Sequence, residues 1–191
     1  MARAGVTPDK VETVAAAVVD EQGWDALTLA AVAGRLGVSV PSLYKHVDGM
    51  AGVRRALTLR AVSELGDQLV DAAVGRAGPD ALGPVALAYR DFARQHPGLY
   101  AATVVAPALG DVEHHAASNR ILMPVLAMIA GYGVPGDQAI DAARALRATL
   151  HGFVSLELAG GFGLPVDVDA SFDRTLAALD RALATWPEHA D

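Results

Sequence analysis

Between Leu27 and Val47 the apolar positions fall into two short helical stripes separated by a glycine turn. Leu29, Val32, Ala33 and Leu36 recur at i, i+3, i+4 and i+7, one face of a helix, and Thr28 stands where its hydroxyl accepts from the free N–H groups of the first turn. Gly37 follows as the residue that adopts φ > 0 and ends the helix. Ser39 is placed to cap a second helix, in which Leu43 and Val47 point inward at a spacing of i, i+4. Val40, Pro41, Ser42, Lys45 and His46 are then turned outward, with Tyr44 at the edge of that surface. Pro41 in the first turn gives up only an N–H that has no intrahelical partner. A polar, basic and aromatic outer face suits the major groove of DNA. On spacing alone, it suits an ordinary surface hairpin equally.

The rest of the chain also reads as helix. Thr7-Pro8-Asp9-Lys10 caps a segment running to about Gln22, and Asp48-Gly49-Met50 opens another to about Ala73. In the latter, Val53, Leu57, Ala61, Leu65 and Leu69 form a long i, i+4 stripe, with Gly66 as its expected weak point. Leu82 to Gln95 carries Val85, Tyr89, Phe92 and Ala93 on one face, and His96-Pro97-Gly98 stops it. After Leu99 to Val105 and a looser stretch, Ala106 to Gly110, a helix runs through Ile129, where Met123-Pro124 predicts an end or a kink. Pro135-Gly136-Asp137 begins the longest helix, to about Ala159, and a last one spans Ser171 to Leu183. With no period-2 run and no repeat, the expected fold is all-α. It consists of an N-terminal three-helix head, residues 1–52, and a C-terminal helical bundle, residues 53–191.

The hairpin and its flanks, from about Thr7 to Arg60, resemble the N-terminal domain of TetR/AcrR-type transcriptional regulators. The Leu27-Thr28-Leu29 entry, the Leu36-Gly37-Val38-Ser39 turn and the Leu43-Tyr44-Lys45-His46-Val47 recognition segment stand in register. Two further stretches resemble the regulatory domain of the TetR branch named for a Trp-His-Gly signature. They are His96-Pro97-Gly98-Leu99-Tyr100 and Arg144 through Glu157. Here Thr149-Leu150 precedes His151-Gly152 and the Trp is absent. The resemblance implies DNA contacts from Thr28, Ser39, Val40, Pro41, Ser42, Tyr44, Lys45 and His46. It also implies a homodimer on an inverted-repeat operator in double-stranded DNA. Two departures bear on this reading. Met50 stands where the family often has a phosphate-gripping Lys, and Ala30 where some members read bases with Arg.

Charge changes the picture once it is divided. The net −7 of the chain hides seven Lys/Arg against six Asp/Glu in residues 1–60, and eight against sixteen in the remainder. The head is therefore near neutral, with Arg35, Lys45, Arg54, Arg55 and Arg60 in or after the hairpin. Each head alone is expected to bind DNA weakly, so that useful affinity arises when two act together. No apolar run is long enough to span a membrane, the N-terminus lacks a signal-peptide core, and Cys is absent. A cytoplasmic location and no membrane partner are the expectation. Asp111, Glu113, His114 and His115 crowd one helix start, but adjacent His side chains diverge by about 100° and acidic residues suit a first turn. No metal, cofactor or catalytic role is expected. The glycines of Gly131-Tyr132-Gly133 and Gly160 to Gly163 read as helix terminators, because neither group joins a strand or carries a P-loop Lys.

The resemblance further implies an effector cavity in the helical body, for which Tyr89, Phe92, Met123, Met128, His151 and Phe153 are the candidate lining. Met and aromatic residues suit a small, mainly apolar molecule. At helical spacing the same residues also read as core. Phe172, Leu176, Leu179 and Leu183 form a seam on the last helix, and Leu150, Val154, Glu157 and Leu158 a face on the one before. Together they are the candidate dimer interface, or packing within one subunit. The expected function is a homodimeric repressor released from DNA by that effector. An activator of the same fold and a ligand-binding protein with a silent DNA head are the alternatives.

Overall fold

The computed structural model describes residues 5–186, and every regular element among them is a helix. In order these are α1 (Pro8–Gln22), a 3-10 turn at Trp24–Ala26, α2 (Leu29–Leu36), α3 (Val40–Leu43) and α4 (Gly49–Ala73). Then follow α5 (Pro79–Gln95), α6 (Pro97–Ala102), α7 (Val112–Ala130), α8 (Gln138–Leu158) and α9 (Val168–Ala184). Among the described residues no helix is long and apolar enough to cross a membrane.

The chain forms two compact units. The first holds the described residues up to Glu64 together with His96–His115, and the second holds Leu65–Gln95 with the described residues from Ala116 onward. The first unit is thus discontinuous in sequence, because α6 and the start of α7 join the helix-turn-helix segment. The boundary expected at residue 52 falls inside the uninterrupted α4. That helix contributes residues to both units.

Within the first unit, Val11, Ala15, Val18 and Val19 of α1 meet Val32, Ala33 and Leu43 in a small core. Burying each large aliphatic side chain contributes about 1.5–3 kcal/mol. Local signals set the ends: Thr7 Oγ1 accepts from Lys10 N at 3.3 Å, Thr28 Oγ1 from Ala31 N at 3.0 Å, and Gly37 closes α2 in the left-handed region at φ 66°. The α1–α6 joint is tighter. A Cβ on Gly98 would lie 2.2 Å from the Val19 carbonyl oxygen, so only glycine allows α6 to approach the C-terminal end of α1.

In α4 the expected stripe is buried along its whole length, Val53, Leu57, Ala61, Leu65 and Leu69 each being at most 1% exposed. Gly66 is buried too, and its role differs from the expected weak point. Its missing Cβ would lie 2.7 Å from Arg120 Cβ and 3.2 Å from the Arg120 carbonyl carbon, so the glycine permits close packing of α4 on α7. Pro124 sits inside the continuous α7 rather than ending it. In the second unit α5 packs against α8 and α9, and the turn before α5 is fastened to the end of α7 by Gly78 N donating to Met128 O at 3.1 Å.

Candidate nucleic-acid interface and neighbouring cleft

The recognition segment is shorter as a helix than its spacing predicts. Regular α3 ends at Leu43, and the chain continues as a tight turn in which His46 N and Val47 N both donate to Leu43 O, at 2.8 and 3.1 Å. The expected inward and outward faces are distinct only in part. Leu43 is fully buried, and Pro41, Tyr44 and Lys45 are exposed, Tyr44 by 60%. Val40, Ser42, His46 and Val47 are half-buried, while Thr28 and Ser39 are exposed. Ser39 does not cap α3 through its side chain; its Oγ lies 2.9 Å from Ser42 Oγ.

The structure sorts the basic residues more sharply than a charge count. Arg35 pairs with Glu21 at 2.7 Å and Arg60 with Glu64 at 2.7 Å. Arg55 bonds both carboxylate oxygens of Asp111, at 2.5 and 2.9 Å, and Glu113 at 3.0 Å. Lys45 and Arg54 have no carboxylate partner among the described residues, unlike the other three of the five head cations singled out. The Glu21 carboxyl is held below its ordinary range by the Arg35 hydrogen bond and charge. Asp111 is pushed well below it, first by the Arg55 hydrogen bonds and then by the His114 N–H, which it accepts at 3.1 Å as the cap of α7. The acidic and histidine cluster at 111–115 is therefore a helix start locked to Arg55, and no metal-holding group occurs among the described residues.

Two residues with no predicted role organise this unit. Asp20 accepts from Leu99 N at 2.9 Å and meets His96 Nδ1 at 3.0 Å, and Trp24 Nε1 donates to Gly98 O at 2.8 Å. Both sit where α1 passes toward the hairpin, so they fix α6 to the head. Beside Trp24, and wholly within the first unit, a cleft of about 500 Å³ opens between α4, α6 and the segment leading into α7. Its walls are mainly apolar, including Leu59, Ala102 and Val105, and its polar groups are Arg54, Arg55, Thr58, Asp111 and His114. His114 is 6% exposed and its Nε2 lacks a hydrogen-bond partner. An unsatisfied buried group of this kind costs about 1–3 kcal/mol.

The candidate effector residues of the second unit differ in burial. Phe92 and Met128 are core, at 0% and 1% exposure, and Tyr89 is buried as well. Met123 is 61% exposed, because five residues along α7 turn it away from the face that buries Met128. His151 is half-buried, with Ser155 Oγ 3.4 Å from its Nδ1. Phe153 lies in an aromatic cluster, its ring centroid 4.8 Å from Phe162 and 5.0 Å from Phe172.

The candidate dimer faces divide between the two alternatives. Phe172, Leu183, Leu150 and Val154 are buried within the chain, since each lies on the side of its helix that packs inward. Glu157 is taken by Arg90, which bonds its two oxygens at 2.8 and 2.6 Å and Asp169 at 2.6 Å beneath the rings of Phe172 and Phe153. Leu158 stays exposed, and Leu176 and Leu179 are half-buried.

Residues 13–57 match the family profile for bacterial regulatory proteins, tetR family, and residues 82–179 that for a tetracyclin repressor-like C-terminal domain. An uncharacterized HTH-type transcriptional regulator of Mycobacterium tuberculosis is 40% identical over 168 residues, 85% of this chain and 77% of its own. The chain belongs to the TetR family. It is accordingly a DNA-binding transcriptional regulator rather than an enzyme. Its fold matches ActR of Streptomyces coelicolor in complex with actinorhodin, with a TM-score of 0.69 at 16% identity, covering 98% of this chain and 100% of ActR. It also matches a TetR variant of Acinetobacter baumannii in complex with minocycline, with a TM-score of 0.67 at 22% identity, covering 97% and 100%. In this TetR-family chain, Asp20 and Arg90 carried no pattern of their own in the sequence, because their partners lie 67–79 positions away.

Proposed function

We propose that this regulator is a homodimeric repressor that reads an inverted-repeat operator with α3 and the turn after it, and leaves that operator when a small, mainly apolar molecule binds. The observation that carries the DNA-reading part is the recognition segment itself. Leu43 is anchored at 0% exposure while Tyr44 and the unpaired Lys45 project to solvent, so a rigid base presents an aromatic and a cation side by side. Lys45 meets phosphate, Tyr44, Ser42 and His46 reach phosphates or base edges, and Val40 and Pro41 suit a thymine methyl.

With so few free cations in each head, two heads must act together. A two-fold dimer presents the same surface twice, about 34–36 Å apart, in successive major grooves. Leu158, Leu176 and Leu179 are the apolar residues left on α8 and α9 to make that contact once the buried members of the seam are set aside. Release by a ligand requires only that the ligand bind the DNA-free arrangement more tightly than the operator-bound one. Complexes of two proteins of this fold with actinorhodin and with minocycline support a small-molecule effector, and α4 and α7, which each contribute residues to both units, are the helices that join them covalently.

Selection of bound sequences from a random duplex pool tests the reading. The expected result is an inverted repeat bound by a dimer, with Leu176→Glu giving monomers that bind it poorly. Recovery of no enriched sequence would overturn DNA reading and favour the silent-head alternative. A non-repeated site bound by a monomer would overturn the symmetric arrangement.

A further inference from the structure

The cleft beside Trp24 has the makings of a site that the regulatory reading does not use. It lies in the unit that holds the recognition segment, among residues different from the Phe92, Met128 and Phe153 group of the body. Its volume, about 500 Å³, is that of a pocket for a compact organic molecule. Trp24, Leu59, Ala102 and Val105 give it flat and aliphatic walls. Its charges are not equivalent. Arg55 is neutralised by Asp111 and Glu113, and Asp111 has both oxygens engaged, one of them twice. The cleft therefore offers no free carboxylate to a cationic ligand. Arg54 is different: its guanidinium carbon lies 5.4 Å from the Trp24 ring centroid, it reaches the Trp24 carbonyl at only 3.4 Å, and no carboxylate neutralises it among the described residues. His114, more than nine-tenths buried at the same cleft, holds a ring nitrogen without a partner.

We propose that this cleft is a second small-molecule site, in the DNA-binding unit, for a flat apolar molecule carrying a single carboxylate. The ring stacks against Trp24 and the aliphatic wall. The carboxylate takes the charge of Arg54, and the His114 ring, whose Nε2 is closed to solvent in this structure, must turn to offer its open hydrogen-bonding capacity. A single negative charge is the limit, because Asp111 and Glu113 repel a second. The site stands on this geometry alone. Its consequence for DNA rests on the regulatory reading: of the five head cations singled out, Arg54 is one of the two that no carboxylate holds among the described residues, so an occupant that engages it withdraws it from phosphate.

Naphthalene-2-carboxylate is a suitable probe, titrated into the full-length protein carrying Trp186→Phe so that Trp24 alone reports. Saturable quenching is expected, matched by calorimetry, and Arg54→Gln should weaken the carboxylate about tenfold while changing naphthalene-2-carboxamide by less than about twofold. Ala101→Phe, at an exposed position on the cleft wall, should abolish both, and Phe153→Ala should leave both unchanged. Absence of saturable quenching overturns the site, as does equal loss of acid and amide in Arg54→Gln. Loss in Phe153→Ala with retention in Ala101→Phe would move the ligand to the body and overturn it equally. A probe that quenches Trp24 but leaves operator affinity unaltered would overturn the withdrawal of Arg54 and leave the site standing. Failure to select any operator would strike the regulatory reading without touching the quenching result.

Discussion

The α1–α6 joint of the first unit and the joint of α5 with α8 and α9 in the second are made in opposite ways. In the first, α6 meets α1 through backbone: Gly98 approaches the Val19 carbonyl where no side chain fits, and Asp20 and Trp24 bond the α6 main chain directly. In the second, α5, α8 and α9 are joined by one buried cation, Arg90, shared between Glu157 and Asp169 and covered by two phenylalanine rings. A backbone joint tolerates no added volume but carries little charge. An ionic joint tolerates changes of shape but not the loss of one partner, because the remaining charge is left half-buried. The joint that must keep α6 in a fixed relation to the head is thus the one defined by distance.

Gly98→Ala breaks the first joint most directly. The new Cβ would overlap backbone atoms of Val19 and Asp20, not the end of a flexible side chain, so α6 or α1 must move. We expect a loss of about 3 kcal/mol, the upper end for overpacking, seen in denaturant titration followed by Trp24 fluorescence. Gly66→Ala, whose Cβ would meet Arg120 Cβ at 2.7 Å and backbone atoms only from 3.2 Å, should cost less, since the overlap is smaller than the 2.2 Å approach at Gly98. Equal costs would remove the distinction between the two contacts.

Arg90→Ala probes the ionic joint and should destabilise by about 2–3 kcal/mol, reduced from the full cost of a broken buried pair because Asp169 is largely exposed. The sharper comparison is the double variant Arg90→Met with Glu157→Leu. Removing both charges should recover most of the loss, whereas no second substitution on the α1 side should rescue Gly98→Ala. Thermal melting of the three proteins decides it. A double variant as unstable as Arg90→Ala would mean that shape, not charge, holds α5 to α8 and α9.

How far each joint was legible in the sequence follows from the same contrast. The hairpin was legible in its Thr28 cap, its glycine turn and its buried Leu43, because each depends on neighbours within a few residues, whereas the expected Ser39 side-chain cap is replaced by a contact with Ser42. The stripe of α4 was read for the same reason. The faces of α8 and α9 were legible as amphipathic but not as to what they cover. Period alone makes Phe172 and Leu183 apolar and inward, and says nothing of whether the partner is α5 of the same chain or a second copy. Glu157 read as a tolerated polar residue on an apolar face until Arg90, far away in sequence, supplied its counter-charge. Met123 and Met128 looked like equals in composition, and only the packing of α7 separates them. The Trp24 cleft left no local signal, since three separate segments build it.

Lys45→Ala should leave stability almost unchanged, because the side chain is exposed and pairs with no carboxylate among the described residues. Operator affinity should nevertheless fall roughly tenfold, with the slope of log affinity against log salt shrinking by about 2, one phosphate contact from each head. A salt series on the selected operator measures both. Arg35→Ala, which removes a cation already paired with Glu21, should reduce the slope far less. Equal slopes for the two variants would show that internal pairing does not decide which cations reach DNA.

The smallest expected effect has the opposite sign. His114→Leu keeps a similar volume and removes a buried ring nitrogen that has no partner, so the protein should become more stable by about 1 kcal/mol. A polar atom kept at a cost to stability is characteristic of a site rather than of a core. Stability and ligand response should therefore part company: the melting temperature rises while affinity for naphthalene-2-carboxylate falls. In the second unit, where Arg90 has all its partners, no such separation is expected, and Arg90→Ala should lower the melting temperature without touching the probe. If His114→Leu instead lowers both, the histidine is a structural element of the α7 start and the contrast between the two units fails at this position.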